Sequence, residues 1–327
     1  MSVKTTVAPK ADSLRKIGRI VIENLNWVIL ILLVLAGLLF SDNFFTWNNM
    51  SNVLKQVSIN GVLAAGFTIV ILADGFDLSI GTIISVCAVV AVGTLNATKS
   101  TFYAVMVSLV IGLAFGIFNG ILIRIIKGSN SDSFLTTLGT MLLAQSCAYT
   151  YSGGFNIYCD NSITSYRNIG KGMIMGIPVL IIIMFAVMLI FEFILKKTTL
   201  GRNIKLSGSN RVAVFMSGIN AHNIKIFSFA VTGLCAGIAA IMLTARTGVA
   251  SPSTGYGYEV DAATAAIIGG NREGGMRGSI IKTLTGVLIL GFITNVMNLM
   301  NINTVIQTIT KGIILLVALY TNRMKKA

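Results

Sequence analysis

The chain has 327 residues, of which 54% are hydrophobic and only 11% charged, and its mean hydropathy is +0.83. A soluble domain needs about 25% charged residues for its polar shell, so this composition excludes one. The net charge of +14 comes from 25 Lys and Arg against 11 Asp and Glu. Its bases cluster at the two ends and in a few connecting stretches, the pattern of loops kept on the cytoplasmic face of a membrane, so no nucleic-acid partner is expected.

The first twenty-odd residues, with Lys4, Lys10, Arg15, Lys16 and Arg19, read as a cytoplasmic tail over 1–26. Apolar runs follow at about 27–40, 53–73, 79–95, 102–123, 134–152, 177–195, 224–246, 259–270, 280–300 and 304–321. A full span needs about 20 residues to cross a core of about 30 Å, and most runs approach that length. The run 259–270 is too short alone and reads as a half-helix or one that leans on neighbours. Trp27–Phe40 has basic residues before it, as a signal peptide would, but no small-residue cleavage site follows, so it reads as the first span.

An even number of crossings puts both basic ends, the second being Arg323, Met324, Lys325 and Lys326, on one side. Ten crossings also bring Arg124, Lys127, Lys196 to Lys225 and Arg272 to Arg277 to that side, leaving 41–52 and 152–176 outside. The expected fold class is therefore all-α: a polytopic membrane helix bundle of about ten transmembrane helices (eight to ten), with N and C termini cytoplasmic. The runs lack the dyad alternation of an outer-membrane barrel. No internal repeat is strong enough to quote.

Cys87, Cys147, Cys159 and Cys235 form no CxxC pair, and His222 is the one histidine, so neither a disulfide framework nor a metal site is expected. Gly112, Gly116 and Gly120 share one helix face, as do Gly233 and Gly237, which predicts close helix packing within the subunit or at a subunit seam.

Among the few carboxylates, Asp74, Asp77, Glu259, Asp261 and Glu273 are left once those in tails, loops and helix ends are set aside, and charge at membrane depth is costly and usually functional. Asp77 or Ser79 reads either as a cap of the helix beginning near Ile80 or as part of a path or gate. Asn295 and Asn298 share a face, and Gln307 and Lys311 lie four apart. These polar residues either line a path or make polar helix–helix contacts.

The stretch 196–225 holds Lys196, Lys197, Arg202, Lys205, Arg211 and Lys225 and no carboxylate. Within it, 209–218 reads as a short helix with Ser209 or Asn210 as N-cap and Gly218 at the C-terminal turn. Its apolar residues either rest on the membrane surface or dock into a partner.

The string Gly201-Arg202-Asn203-Ile204-Lys205-Leu206-Ser207-Gly208-Ser209-Asn210, continuing to Ser217-Gly218-Ile219, resembles the cytoplasmic coupling segment of permeases in the ribose/galactose/xylose group of ABC importers. Asp74-Gly75-Phe76-Asp77-Leu78-Ser79-Ile80-Gly81 is similar to that family's Gly-Gly-Ile-Asp-Leu-Ser-Val-Gly. Gly255-Tyr256-Gly257-Tyr258-Glu259-Val260-Asp261-Ala262 resembles its Gly-x-x-Tyr-Glu-Leu-Asp-Ala. Asn168-Ile169-Gly170 with Gly176-Ile177-Pro178, then Gly286, Gly291, Asn295, Gln307 and Lys311-Gly312, follow in register.

The resemblance implies the permease subunit of a monosaccharide importer in the cytoplasmic (inner) membrane. It implies one transmembrane domain over 27–322, a coupling segment at about 198–222 and a short tail over 323–327. ATPase-coupling residues would be Gly201, Arg202, Gly208, Asn210, Arg211, Ser217 and Gly218. The translocation path or gate would involve Asp77, Ser79, Glu259, Asp261, Asn295, Gln307 and Lys311. Implied partners are an ATP-binding subunit, an extracytoplasmic sugar-binding protein, a second permease subunit (a homo- or heterodimer) and membrane lipid. No G-x-x-x-x-G-K-[ST] occurs, so ATP and Mg are expected on the partner chain, with no cofactor or catalytic residue here. The competing classes are an ion-driven secondary carrier, for which Asp74, Asp77 and the short run at 259–270 offer material, and a channel, for which no filter-like string stands out.

Overall fold

The computed structural model of the protein describes residues 25–40, 42–126, 130–209, 211–272, 274–276 and 278–324. The first half contains α1 (Leu25–Phe40), α2 (Trp47–Leu72), α3 (Ile80–Thr98), α4 (Thr101–Ile125) and α5 (Asn130–Ser152). The short α6 (Thr164–Lys171) precedes α7 (Val179–Lys197), and α8 (Thr199–Ser209) and α9 (Arg211–Met216) fill the basic stretch. The second half contains α10 (Ala221–Thr247), α11 (Tyr258–Ile268), α12 (Ile280–Leu299) and α13 (Thr304–Met324). The all-α bundle is as expected, with two small additions. β1 (Ile157–Tyr158) pairs antiparallel with β4 (Val249–Ala250), and β2 (Met173–Ile174) pairs with β3 (Ile177–Pro178).

Every apolar run has become a helix. Among the described residues, α2, α3, α4, α7, α10 and α12 are long and apolar enough to cross a membrane by length and composition. α2 starts at Trp47 rather than near 53. Its first turn is polar and invisible to an apolar count, but Thr46 caps it by accepting from the Asn49 N–H at 3.4 Å. Asn220 caps α10 through the N–H groups of His222 and Asn223.

Burial runs opposite to a soluble protein. α2, the least apolar of the six, is the most enclosed, while the most apolar, α7 and α4, are the least buried. In lipid the oiliest faces point outward, and close contacts inside rest on small residues. Accordingly, Gly112 and Gly116 of α4 lie against the backbone of Gly233, Phe229 and Ala230 on α10, and Gly237 lies against Ser108. The glycine faces read from the sequence thus meet within one chain.

The two ends of the bundle differ in chemistry. At one end β1 meets β4, and Lys99 pairs with Asp160 at 2.6 Å. The hydrogen bond from Lys99, with those from Ser162, holds that carboxyl below the usual carboxylate range. At the opposite end Arg124 donates to Asn223, Gly208 packs on Leu72, and Glu192 pairs with Lys196 at 2.6 Å. The basic residues of 196–225 belong to this second end, as the charge pattern requires.

Packing also reveals a repeat that the sequence hides. α2 and α10 lie together and run in opposite directions, Gly66 meeting Cys235 and Gly75 meeting Phe229. α2 packs on α11 and α12 as α10 packs on α3 and α4. α3 then contacts α4 and α5 as α11 contacts α12 and α13. Each half thus has a long helix, a break, a helix and two further helices in the same order, with the long helices antiparallel.

Candidate functional site

The first break, 73–79, follows α2. Asp74 takes a left-handed backbone (φ 57°), reversing the chain, and Gly75 then packs on Phe229. Phe76 packs edge-on to Phe67, ring centroids 5.1 Å apart, and near Phe134 of α5. Asp77 is fully buried, and its Oδ1 accepts from the Ser79 N–H at 2.9 Å and the Ser79 hydroxyl at 2.6 Å. Ser79 in turn accepts from Asn119 of α4 at 2.8 Å, and Thr137 of α5 accepts from the Leu78 N–H at 3.1 Å. The helix does begin at Ile80. The Ser79 side chain makes no cap bond: its backbone is helical (φ −79°, ψ −12°) rather than extended, and its oxygen accepts from Asn119.

The second break, 251–257, precedes α11. Gly255 donates its N–H to Ser85 of α3 at 2.9 Å and lies so close to the Gly81 carbonyl that no Cβ fits at either residue. Gln145 of α5 donates to the Pro252 carbonyl at 2.6 Å. Gly257 (φ 85°) starts α11, and its N–H donates to Glu259 at 3.2 Å. Glu259 and Asp261 sit in the first turn of α11, where the helix dipole favours negative charge. Lys311 of α13 pairs with Asp261 at 2.9 Å. The second break and the start of α11 therefore rest on the first turns of α3, through Gly81 and Ser85, just past the first break.

The remaining path candidates make helix–helix contacts. Asn295 of α12 exchanges hydrogen bonds with Asn49 of α2, at 3.1 and 2.7 Å. Gln307 donates to Asn298 at 2.8 Å and to the Ile302 carbonyl at 2.9 Å. Asn49, Asn119 and Gln145 complete these clusters and went unnoticed in the sequence. For Asn119 and Gln145 an amide within an apolar run was the available signal, but the partners of all three are 40 to more than 200 positions away.

At the basic end, the expected single short helix is two, α8 and α9. Gly201 packs on Leu195 at the end of α7, and Arg202 is exposed. Gly208 lies against the Leu72 carbonyl, the Asp74 amide and Gly274, so no side chain fits there. Asn210 lies outside the described residues, and Arg211 opens α9. Ser217 bonds back to Ala213 at 2.8 Å, and Gly218 (φ 70°) closes the turn. Glu192 does more than pair with Lys196: it caps α12 by accepting from Ser279 and from the Ile280 N–H at 2.8 and 2.7 Å. Of the coupling candidates, Gly208 packs directly on the first break, while Asn295 and Gln307 bond elsewhere, to Asn49 and Asn298.

The family described as the permease component of branched-chain amino acid transport systems matches residues 49–319. The chain belongs to this permease family. The permease is 37% identical over 306 residues, 93% of its length and 94% of the relative's, to the ribose import permease protein RbsC of Haemophilus influenzae. It is 32% identical over 325 residues, 99% and 98% of the two chains, to the L-arabinose transport system permease protein AraH of Escherichia coli. The D-allose transport system permease protein AlsC of the same organism is 31% identical over 299 residues, 91% and 90% of the two chains. No solved structure matches the permease. It is a multi-pass membrane protein and a transporter component rather than an enzyme.

Proposed function

We propose that this permease carries a monosaccharide inward across the cytoplasmic membrane, driven by ATP hydrolysis on a separate subunit that docks on α8 and α9. A soluble binding protein delivers the sugar to the face that holds β1, β4 and α6, and a second permease copy or paralogue completes the path. The chain crosses ten times, with both termini on the basic, cytoplasmic side. It binds no cofactor; ATP and Mg belong to the partner. The sugar class rests on relatives named for ribose, L-arabinose and D-allose import.

The observation that carries this reading is the seating of Gly208 on Leu72, Asp74 and Gly274. A displacement of α8 by a motor subunit reaches the break at 73–79 with no compressible side chain between them. The break holds Asn119 of α4 and Thr137 of α5, so the same displacement re-packs the helices behind it, as alternating access requires.

The test is Gly208→Trp in the assembled transporter. Sugar uptake should fall to background while the chain still inserts in the membrane. Normal uptake would refute the contact. A gradient-driven carrier is the second reading, favoured by the broken helices and the Asp261–Lys311 pair at membrane depth. Uptake that survives loss of the ATPase subunit and collapses with an uncoupler would establish it instead.

A further inference from the structure

The break at 251–257 runs inward from β4 at the end of the bundle, and its Gly255 reaches the middle of the membrane. Its Gly255 bonds to Ser85, about 20 Å along α3 from the Thr98 end at 1.5 Å per residue. From the opposite side, Ser79 meets Asn119 about 9 Å above the end of α4, and Ser85 is about 9 Å further up α3. Irregular backbone is tolerated at that depth only where protein buries it or where it borders water. Pro252 and Gly255 meet the first condition, turned toward α5 and α3. Ser253 and Tyr256 do not: Ser253 is exposed and Tyr256 is 83% exposed.

Their side of the segment is polar. The Ser251 and Ser253 hydroxyls bond to each other at 3.0 Å, and the Ser251 N–H donates to Thr254. On α5, beside the Gln145 that holds Pro252, Ser146 and Tyr149 are exposed. α5 has 23 residues, enough to span, yet is too polar to count among the six apolar helices. Leu142 and Leu143 are exposed beside Ser146, so this polar strip borders an apolar one on α5.

We infer that Ser253 and Tyr256 border a water-filled station at mid-membrane and contact the monosaccharide there, Tyr256 by stacking on the sugar ring and Ser253 through a hydroxyl hydrogen bond. The sugar identity rests on the function proposed above; the water-filled cavity does not. An aromatic ring with its face open and hydroxyls beside it offers a sugar both an apolar C–H face and hydrogen-bond partners. Tyr256 is then a selectivity residue of the permease itself, distinct from Asp77 and Ser79, which are sealed in the core.

The test uses the whole transporter in membrane vesicles, with the exposed native thiol removed as Cys147→Ser; Cys87, Cys159 and Cys235 are buried. Ser253→Cys and Tyr256→Cys should react with a charged, membrane-impermeant methanethiosulfonate, and the control Leu32→Cys, exposed at the middle of α1, should not. No reaction at 253 and 256 overturns the cavity. Uptake is screened with labelled D-ribose, L-arabinose and D-allose, and the transported sugar is added during labelling. Slower modification of residue 256 supports the sugar contact, and an unchanged rate overturns it. Tyr256→Phe should keep uptake, whereas Tyr256→Ala should lower it about tenfold, the loss of one stacking contact; equal uptake in both overturns the stacking role. If none of the three sugars is carried, the proposed substrate class fails while the labelling still decides the cavity.

Discussion

Lys311 stands about 10 Å along α13, and Asp261 on α11 meets it at 2.9 Å with both side chains largely enclosed. The depth of each charge was legible in the sequence; their pairing was not, because 50 positions separate them. Removing one member leaves the other desolvated and unpaired, which costs more than the pair contributes. Asp261→Asn should therefore lower stability by about 2 kcal/mol, and adding Lys311→Met should restore most of it. Thermal unfolding of the four proteins in one detergent closes this double-mutant cycle. Additive losses would mean that the two charges do not interact. Asn119 illustrates the limit of residue-level reading: one amide in an apolar run, whose role appears only when Ser79 is found 2.8 Å away.

The α4–α10 seam shows how far an element can be read from spacing. Glycines at 112, 116 and 120 and at 233 and 237 announce two faces stripped of side chains, and the structure brings those faces together. The sequence left open whether the seam was internal, since the same spacing serves a contact between subunits. Gly233→Leu should cost at least about 3 kcal/mol, because its new atoms meet the Gly112 carbonyl and Gly116, which have nowhere to go. Gly139→Leu on α5, with nothing near its Cβ, should stay within about 0.5 kcal/mol. Melting midpoints and monodispersity in detergent compare the two, and equal losses would rule out the seam as the cause. α8 was missed for a complementary reason. With Gly201, Ser207, Gly208 and Ser209 in eleven residues, its local propensity is poor. It is helical because Gly201 and Gly208 let it lie flat on α7 and α2, a tertiary gain that propensity does not contain.

At the scale of the whole molecule, charge decides orientation. Arg124, Lys196, Arg202 and Arg272 gather at one end, opposite β1, β4 and the β2–β3 hairpin, whose Met175 is 98% exposed. Positive-inside orientation puts Met216 of α9, 80% exposed, in the cytoplasm and Met175 outside. In a Cys147→Ser background, Met175→Cys should label with a charged thiol reagent in intact cells. Met216→Cys should label only after the membrane is opened. The reverse pattern would invert the molecule and remove the coupling assignment for α8 and α9.

Composition and hydrophobic runs alone determined that the chain lives in lipid, where its helices lie, and which side carries the bases. These follow from the cost of leaving backbone and charge unsatisfied in hydrocarbon, a cost summed over local segments. The inverted repeat, the seating of the second break on α3, the Asp261–Lys311 pair and the seat of Gly208 were decided only by the tertiary structure. Each depends on groups far apart in the chain coming within a few ångströms of one another, and a one-dimensional pattern carries no record of which distant partners will meet.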